Sequence, residues 1–222
     1  MCGRFSQSKT AEFLARTFQL TELPDWQPRY NIAPTQRVPV IIHSAEQGER
    51  QFRLLRWGLV PSWSKDLSIG SRLINARAET VAEKPSFRAA FKRRRCLILA
   101  DGFYEWQRQT GKKQPYYFQI MDHQPFAFAG LWEHWETAET VVESCTIITT
   151  EANEVLRSLH DRMPVILPPA TYSRWLIPST PIDQLLALLR PYDPESMQGY
   201  PVSPLVNNPS HESIDCIKPL ED

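Results

Sequence analysis

The feature that most constrains the fold is a succession of short β-prone runs joined by short turns. The runs are rich in β-branched and aromatic residues, and they lie at 38–42, 52–57, 96–100, 115–120, 126–131 and 145–150. Strands that follow one another through short connections favour an antiparallel sheet. We therefore predict an α+β protein with a curled, barrel-like, largely antiparallel sheet flanked by short helices.

Turn and cap signals predict the local structure around these runs. The polar segment 44–50 predicts a hairpin between 38–42 and 52–57, and 110–113 predicts a second turn. Residues 8–20 predict an amphipathic helix capped by Ser8. Further helices are expected at 84–94, 169–177 and 182–189, with closing strands at 201–203 and 214–218.

Length and composition predict one folded domain. The chain has 222 residues, enough to bury a core, and its 19 prolines and 8 glycines indicate rigid turns. No repeat, low-complexity stretch or linker interrupts it, so we expect a single domain over 1–222. No coiled-coil pattern suggests a partner chain, and we expect a monomer.

Several functional classes are disfavoured by the sequence. A membrane-spanning protein is disfavoured because no apolar run approaches ~20 residues. A secreted protein is disfavoured because the N-terminus lacks the layout of a secretory signal. The cysteines are far apart, which indicates neither a zinc site nor a disulfide framework: Cys2, Cys96, Cys145 and Cys216. We predict a cytoplasmic protein with reduced thiols, no metal and no cofactor.

The formal net charge is zero, with 25 basic and 25 acidic residues. A nucleic-acid-binding protein usually has an excess of basic residues. Any such function here must therefore depend on a local basic patch.

The start of the chain, Met1-Cys2-Gly3-Arg4-Phe5, carries unusual chemistry. A small second residue normally permits removal of Met1, which leaves Cys2 with an α-amine and a thiol on adjacent carbons. The α-amine has a pKa near ~8, so part of it is neutral and nucleophilic at pH 7. It can form a Schiff base with an aldehyde, and the thiol can then close a thiazolidine ring. The ordinary alternative is a frayed terminus without function.

Six different motifs occur along the chain, and their order resembles that of one family. They are 1–5, 30–34, 57–63, 74–80, 100–106 and 160–164, with sequences MCGRF, YNIAP, WGLVPSW, INARAET, ADGFYEW and HDRMP. This order resembles the SOS-response-associated peptidase (SRAP) family, the abasic-site processing proteins. The resemblance extends to about residues 201–203. It implies that Cys2 joins covalently to the aldehyde of an abasic site in single-stranded DNA, and that DNA damage induces the protein.

The resemblance also implies catalytic roles for Asn75, Glu105 and His160 beside Cys2. His160 can protonate the sugar ring oxygen, because imidazole titrates near physiological pH. Glu105 can move protons among amine, hydroxyl and thiol, and Asn75 can orient the amine or the opened sugar. Each also has a common structural alternative: a surface histidine, an exposed strand glutamate or a turn-capping asparagine.

DNA contacts are expected from arginines and from an aromatic wedge. Arg4, Arg77 and Arg162 lie within two residues of a proposed catalytic residue and suit phosphate binding. Trp63 and Pro34 can stack beside the abasic gap. Ser64 follows Trp63, where some relatives carry a second aromatic residue. Thr149 is a further candidate for contact with the sugar.

The charged run 92–95 predicts a solvated helix end rather than a binding site.

When bound to DNA, the protein is expected to be located at the nucleoid.

Two other functions fit the same residues. Cys2, His160 and Glu105 can form a thiol peptidase with an N-terminal nucleophile. Alternatively, the protein binds single-stranded DNA without a covalent step. A lyase activity is compatible with the main hypothesis, because β-elimination from the Schiff base nicks the strand.

Overall fold

The computed structural model of the protein describes residues 2–44, 49–109 and 112–220. Met1, most of the polar turn at 44–50 and the first two residues of the turn at 110–113 lie outside these ranges. Thirteen strands are found in the described ranges. In chain order they are β1 (Phe5–Gln7), β2 (Arg29–Ile32), β3 (Arg37–His43), β4 (Arg50–Trp57), β5 (Asn75–Arg77), β6 (Arg95–Ala100), β7 (Gly102–Gln109), β8 (Lys112–Ile120), β9 (Phe126–Glu136), β10 (Val141–Glu151), β11 (Arg162–Pro164), β12 (Ile166–Leu167) and β13 (Met197–Pro201).

The α-helices are short, and none in the described ranges is long and apolar enough to cross a membrane. They are α1 (Ala11–Phe18), α2 (Arg88–Arg93), α3 (Glu154–Arg157), α4 (Tyr172–Leu176) and α5 (Ile182–Leu186). Helices α1, α2, α4 and α5 are each shorter than the sequence pattern predicts. The α+β class and the flanking short helices are confirmed.

Five strands close into a barrel in the order β10-β4-β3-β6-β9 and back to β10. The predicted hairpin of β3 and β4 is part of it, with Val38 opposite Leu55 and Val40 opposite Arg53. All of these neighbours are antiparallel except β4 and β10, which pair in parallel through Ser144–Arg56 and Cys145–Trp57. The predicted curled, largely antiparallel sheet is therefore confirmed.

A second sheet of five antiparallel strands, in the order β13-β8-β7-β1-β2, packs against the barrel. Aromatic rings join the two sheets: Phe5 of β1 lies 5.2 Å from Trp57 and 5.7 Å from Phe128, centroid to centroid. Phe5, Trp57 and Phe128 are completely buried. Truncating a ring at such a position costs about 3–5 kcal/mol of stability. The start of the chain is thus built into the core.

Two local predictions are wrong for physical reasons. Ser8 does not cap α1, because its backbone N–H and its hydroxyl both bond the Asp101 carboxylate, and Thr10 caps the helix instead. The predicted strand at 214–218 is replaced by a 3₁₀ turn at Ile214–Cys216, which Ser213 caps. Near this turn, Val202 and Pro219 form an isolated bridge.

In the charged run 92–95, Lys92 and Arg93 are exposed, Arg94 is partly buried and Arg95 is buried. Its guanidinium donates to the carbonyls of Phe91 and Lys92, and to those of Trp175 and Ile177. For Arg95 the prediction of a solvated position is wrong. It ties the end of α2 to α4.

Candidate active site

Cys2 lies in the interior, shortly before β1. Phe5 pairs with Ile32 of β2 and with Phe103 of β7, so the strand is held on both edges. The Cys2 side chain is completely buried. Burial, and after it the negative charge of Glu105, raises the pKa of the Cys2 thiol well above its ordinary value. The thiol is therefore neutral at physiological pH.

Asn75 holds the Cys2 backbone. Its Nδ2 donates a hydrogen bond to the Cys2 carbonyl oxygen at 2.9 Å, although the two residues are far apart in sequence. Asn75 begins β5, which runs parallel to β10 with Asn75 opposite Ile147. The Oδ1 atom of Asn75 is buried and has no hydrogen-bond partner within the described part of the chain. An acceptor without a donor beside Cys2 suits a nearby N–H group.

Glu105 lies on β7 opposite Tyr116, and only 4% of its surface is exposed. Burial raises the pKa of its carboxyl group, because the charged form loses hydration. A carboxyl group with a raised pKa can accept and return a proton nearer to neutral pH than an exposed glutamate.

His160 follows α3 and is partly exposed, with 28% of its side chain accessible. Its Nδ1 is 2.9 Å from the backbone N–H nitrogen of Arg162 and 2.9 Å from a carboxylate oxygen of Asp161. These contacts compete, since Nδ1 can accept from the amide only when it carries no proton. Asp161 is 86% exposed and its charge is screened by solvent, so we assign the amide bond as the dominant one. The proton then resides on Nε2.

An open cavity of about 550 Å³ brings several of these groups together. It is lined by Gly3, Arg4, Glu105, Trp106, Lys113, His160 and Asn207. The cavity therefore reaches the residue next to Cys2, and it carries two basic side chains, Arg4 and Lys113. Glu105 and His160 thus line the cavity, whereas the buried Cys2 precedes the lining residue Gly3 in the chain and is joined to Asn75 by a hydrogen bond. Within the described ranges, no three His, Cys, Asp or Glu side chains converge to hold a metal.

The predicted DNA-binding arginines differ in their surroundings. Arg77 is exposed at the end of β5. Arg162 forms a bidentate ion pair with Glu79, with N–O distances of 2.6 and 3.0 Å, and also donates to the Thr149 carbonyl. Thr149 is buried, and its hydroxyl is 3.4 Å from the Ala76 carbonyl oxygen. Strands β5, β10 and β11 thus place Arg77, Thr149 and Arg162 beside Asn75.

Arg4 lines the cavity and is fixed by protein partners. Its Nη1 donates to Asn31 Oδ1 and to the Val206 carbonyl oxygen, both at 2.6 Å. Of the two predicted stacking residues, Trp63 is 60% exposed, which is unusual for an indole, and Pro34 is partly buried. Both lie on loops that leave strands of the two sheets.

Comparisons with known proteins decide the family. Residues 1–209 match the family model described as SOS response associated peptidase (SRAP). The chain belongs to the SRAP family.

Relatives with curated names support this assignment. The chain is 45% identical to the abasic site processing protein YoqW of Bacillus subtilis, over 98% of this chain and 99% of the relative. It is 32% identical to the mouse abasic site processing protein HMCES, over 100% of this chain and 76% of the relative. Among solved structures, a protein from Bacteroides thetaiotaomicron is 28% identical, with a TM-score of 0.88 over 99% of this chain and 100% of that one.

The cavity next to Cys2 is also lined by residues that the sequence did not single out. Trp106 stands out in the sequence only as part of a motif, yet its indole lines the cavity and donates to Asn207 Oδ1 at 2.6 Å. The Arg4 guanidinium lies 5.8 Å from the Trp106 ring centroid, within cation–π range. The sequence signal that could have identified Trp106 was its position directly after the proposed catalytic Glu105. Lys113 and Asn207 carried no signal, because both belong to ordinary polar segments.

Proposed function

We propose that this protein processes abasic sites in single-stranded DNA by a covalent link through Cys2 after removal of Met1. The observation that carries the proposal is the hydrogen bond that holds Cys2 to Asn75 beside the cavity of Glu105 and His160. The names of the relatives YoqW and HMCES, both abasic site processing proteins, support the same substrate. The link would shield the lesion from cleavage.

The first step is formation of an imine. The sugar ring opens when its oxygen gains a proton and its hydroxyl loses one. The proposed donor is the imidazolium form of His160, in which Nδ1–H pairs with the Asp161 carboxylate instead of accepting from the Arg162 amide. The α-amine of Cys2 then adds to the aldehyde carbon, and loss of one water molecule leaves a carbon–nitrogen double bond. Glu105 is proposed to move the protons, and Asn75 Oδ1 to accept from the amine.

The second step closes the ring. The thiol sulfur adds to the imine carbon, and the sulfur proton passes to the nitrogen, which completes a thiazolidine without any oxidant. The raised pKa of the Cys2 thiol supports this order, since a neutral thiol is a weak nucleophile and the amine acts first. If the imine instead loses a proton from the adjacent carbon, β-elimination cuts the strand, which accounts for the proposed lyase activity.

The neutral thiol also argues against a thiol peptidase. Such an enzyme needs a thiolate, which forms where nearby positive charge lowers the thiol pKa. Here burial and the negative charge of Glu105 raise the thiol pKa by more than the positive charge of the terminal amine and the hydrogen bond to the Arg4 carbonyl lower it. In the proposed function the first nucleophilic attack is therefore made by the α-amine nitrogen, and the thiol adds only afterwards.

Incubation with single-stranded DNA that carries one abasic site tests the proposal. After denaturing electrophoresis we expect a slowed band for the wild type. A residue inserted before Cys2 should abolish the band, because the α-amine then belongs to another residue. Cys2→Ala retains an amine, so it should bind and nick DNA without a durable adduct.

Glu105→Gln keeps the shape of the side chain and removes the proton acceptor. We expect slower crosslinking, by roughly 10²-fold, with DNA binding retained. Peptide hydrolysis without DNA crosslinking would instead establish the peptidase. Salt-sensitive DNA binding without a band in any variant would establish a non-covalent binding protein.

A further inference from the structure

A second basic cavity lies away from Cys2, between β3, β4 and the start of β10. Its volume is about 390 Å³. The charged and titratable side chains that line it are Arg37, Arg53, Arg56, His134 and Glu143. With the histidine neutral, three positive charges face one negative charge. This local excess contrasts with a chain whose formal net charge is zero.

Two of the arginines face each other without a compensating acid. Arg37 and Arg56 are direct register partners across β3 and β4. Like charges at directly opposite positions of a sheet repel and destabilise it. Neither side chain has a hydrogen-bond or ion-pair partner in the described part of the chain. The Nη1 atom of Arg56 is buried as well as unpaired. Since Nη1 packs beside Gly58 and Gly70, an anion in the cavity would bind the accessible part of the Arg56 guanidinium together with Arg37.

The remaining charges leave the cavity basic. Arg53 approaches Glu143 only at 3.9 Å, a loose contact with both side chains partly exposed. His134 lies 3.3 Å from Glu136, which does not line the cavity. Neither contact reaches Arg37 or Arg56.

The cavity adjoins both loops that carry the predicted stacking residues. Thr35, which lines the cavity, follows Pro34, and its backbone N–H donates to the Trp57 carbonyl at 2.8 Å. Arg56 Nη1 lies beside Gly58, where a Cβ atom would come within 3.2 Å of it. Gly58 begins the loop that leads to Trp63 and has a φ of 126°, a conformation that favours glycine. A strand stacked on Pro34 would therefore lie next to Thr35 at the wall of this cavity.

We infer that this cavity is a second phosphate-binding site, which takes a phosphodiester of the single strand whose abasic nucleotide lies at Cys2. The inference rests on the proposed function for its substrate. Three guanidinium groups suit phosphate oxygens, since each presents a planar fork of donors. The site lies outside the catalytic cavity, so it would contribute affinity and strand path rather than chemistry.

Binding of a non-reactive substrate analogue as a function of salt and strand length tests the inference. The probe is a single strand with a tetrahydrofuran abasic analogue, about five nucleotides long, or extended by about ten nucleotides on the 5′ or the 3′ side. We expect tighter wild-type binding with one of the extensions. The double variant Arg37→Gln/Arg56→Gln should lose this gain. Its log–log salt slope on that strand should fall by about 0.7 for each phosphate that the variant no longer neutralises.

Arg174→Gln is the matched control, because it removes one exposed positive charge from α4 and lines neither cavity. Arg37→Gln alone, at an exposed position, serves if the double variant has a lowered melting temperature. Equal salt slopes for Arg37→Gln and Arg174→Gln on both extended strands would overturn the inference. So would equal reductions in affinity on short and extended strands, since the arginines would then act at the Cys2 site.

Two further measurements separate this inference from the proposed function. The double variant should crosslink a short, reactive abasic strand at the wild-type rate; absence of crosslinking in the wild type overturns the proposed chemistry but not the phosphate site. Inorganic phosphate is the second probe. If it raises the melting temperature of the wild type but not of the double variant, and strand extension has no effect, the cavity binds free phosphate and the strand assignment is wrong.

Discussion

The arginines of the two cavities have opposite surroundings. Around Cys2, Arg4 bonds Asn31 and the Val206 carbonyl, and Arg162 is clamped by Glu79. In the second cavity, Arg37 and Arg56 face each other with no partner among the residues described. The side chains of Arg4 and Arg162 are thus held by protein partners, whereas Arg37 and Arg56 are available to a ligand. An arginine therefore contributes to stability in one place and opposes it in the other.

The largest difference is expected from removing Arg4. Arg4→Ala leaves Asn31 Oδ1 without its Arg4 donor, and the Val206 carbonyl keeps only the longer hydrogen bond from Asn31 Nδ2 at 3.3 Å. Loss of hydrogen bonds to a charged group typically costs ~1.5–3 kcal/mol, so we expect the free energy of unfolding to fall by about 2–3 kcal/mol in urea denaturation. A variant as stable as the wild type would show that the fold does not depend on these hydrogen bonds.

A smaller effect is expected at the Arg162–Glu79 pair. Glu79→Gln removes a carboxylate that a DNA phosphate would otherwise have to displace. Since Glu79 is 52% exposed, stability should change by less than about 1 kcal/mol. Affinity for a short abasic strand should rise by about threefold, measured by anisotropy at fixed salt. Reduced affinity would instead mean that Glu79 orients Arg162 for DNA.

The smallest effect has the opposite sign. Arg37→Gln relieves repulsion with Arg56, so the free energy of unfolding should rise by about 0.2–0.5 kcal/mol without DNA. Thermal unfolding at low and high salt measures it, because salt screens the repulsion and should remove the gain. A loss of stability at both salt concentrations would show that Arg37 has a stabilising partner, which contradicts the comparison.

Much of the fold could be predicted from local pattern. The β3–β4 hairpin and the strands β6, β9 and β10 follow from runs of β-branched and aromatic residues, since these pack well in a sheet. Helix ends were less predictable, because a side chain that could cap a helix can instead form hydrogen bonds with a residue distant in sequence. Ser8 is a suitable cap in sequence, yet Asp101 bonds it and the helix starts after Thr10.

The candidate site was predictable in its chemistry but not in its connections. Cys2, Glu105 and His160 stood out because amine, carboxyl and imidazole groups suit the reaction. Nothing local indicated that Asn75 bonds the Cys2 carbonyl, or that Asn31 donates to the carbonyls of Asn208 and His211. These hydrogen bonds link distant parts of the chain, and only packing brings their atoms close enough to form them.

The sequence by itself determined the succession of strands along the chain, the short helices and the reactive residue near its start, since these depend on side-chain identity and on neighbours along the chain. The tertiary structure decided which arginines are partnered and which are not. It also decided that β10 meets both β4 and β9 to close the barrel. The physical reason is that charge pairing and barrel closure depend on distances between residues remote in sequence, which no local pattern encodes.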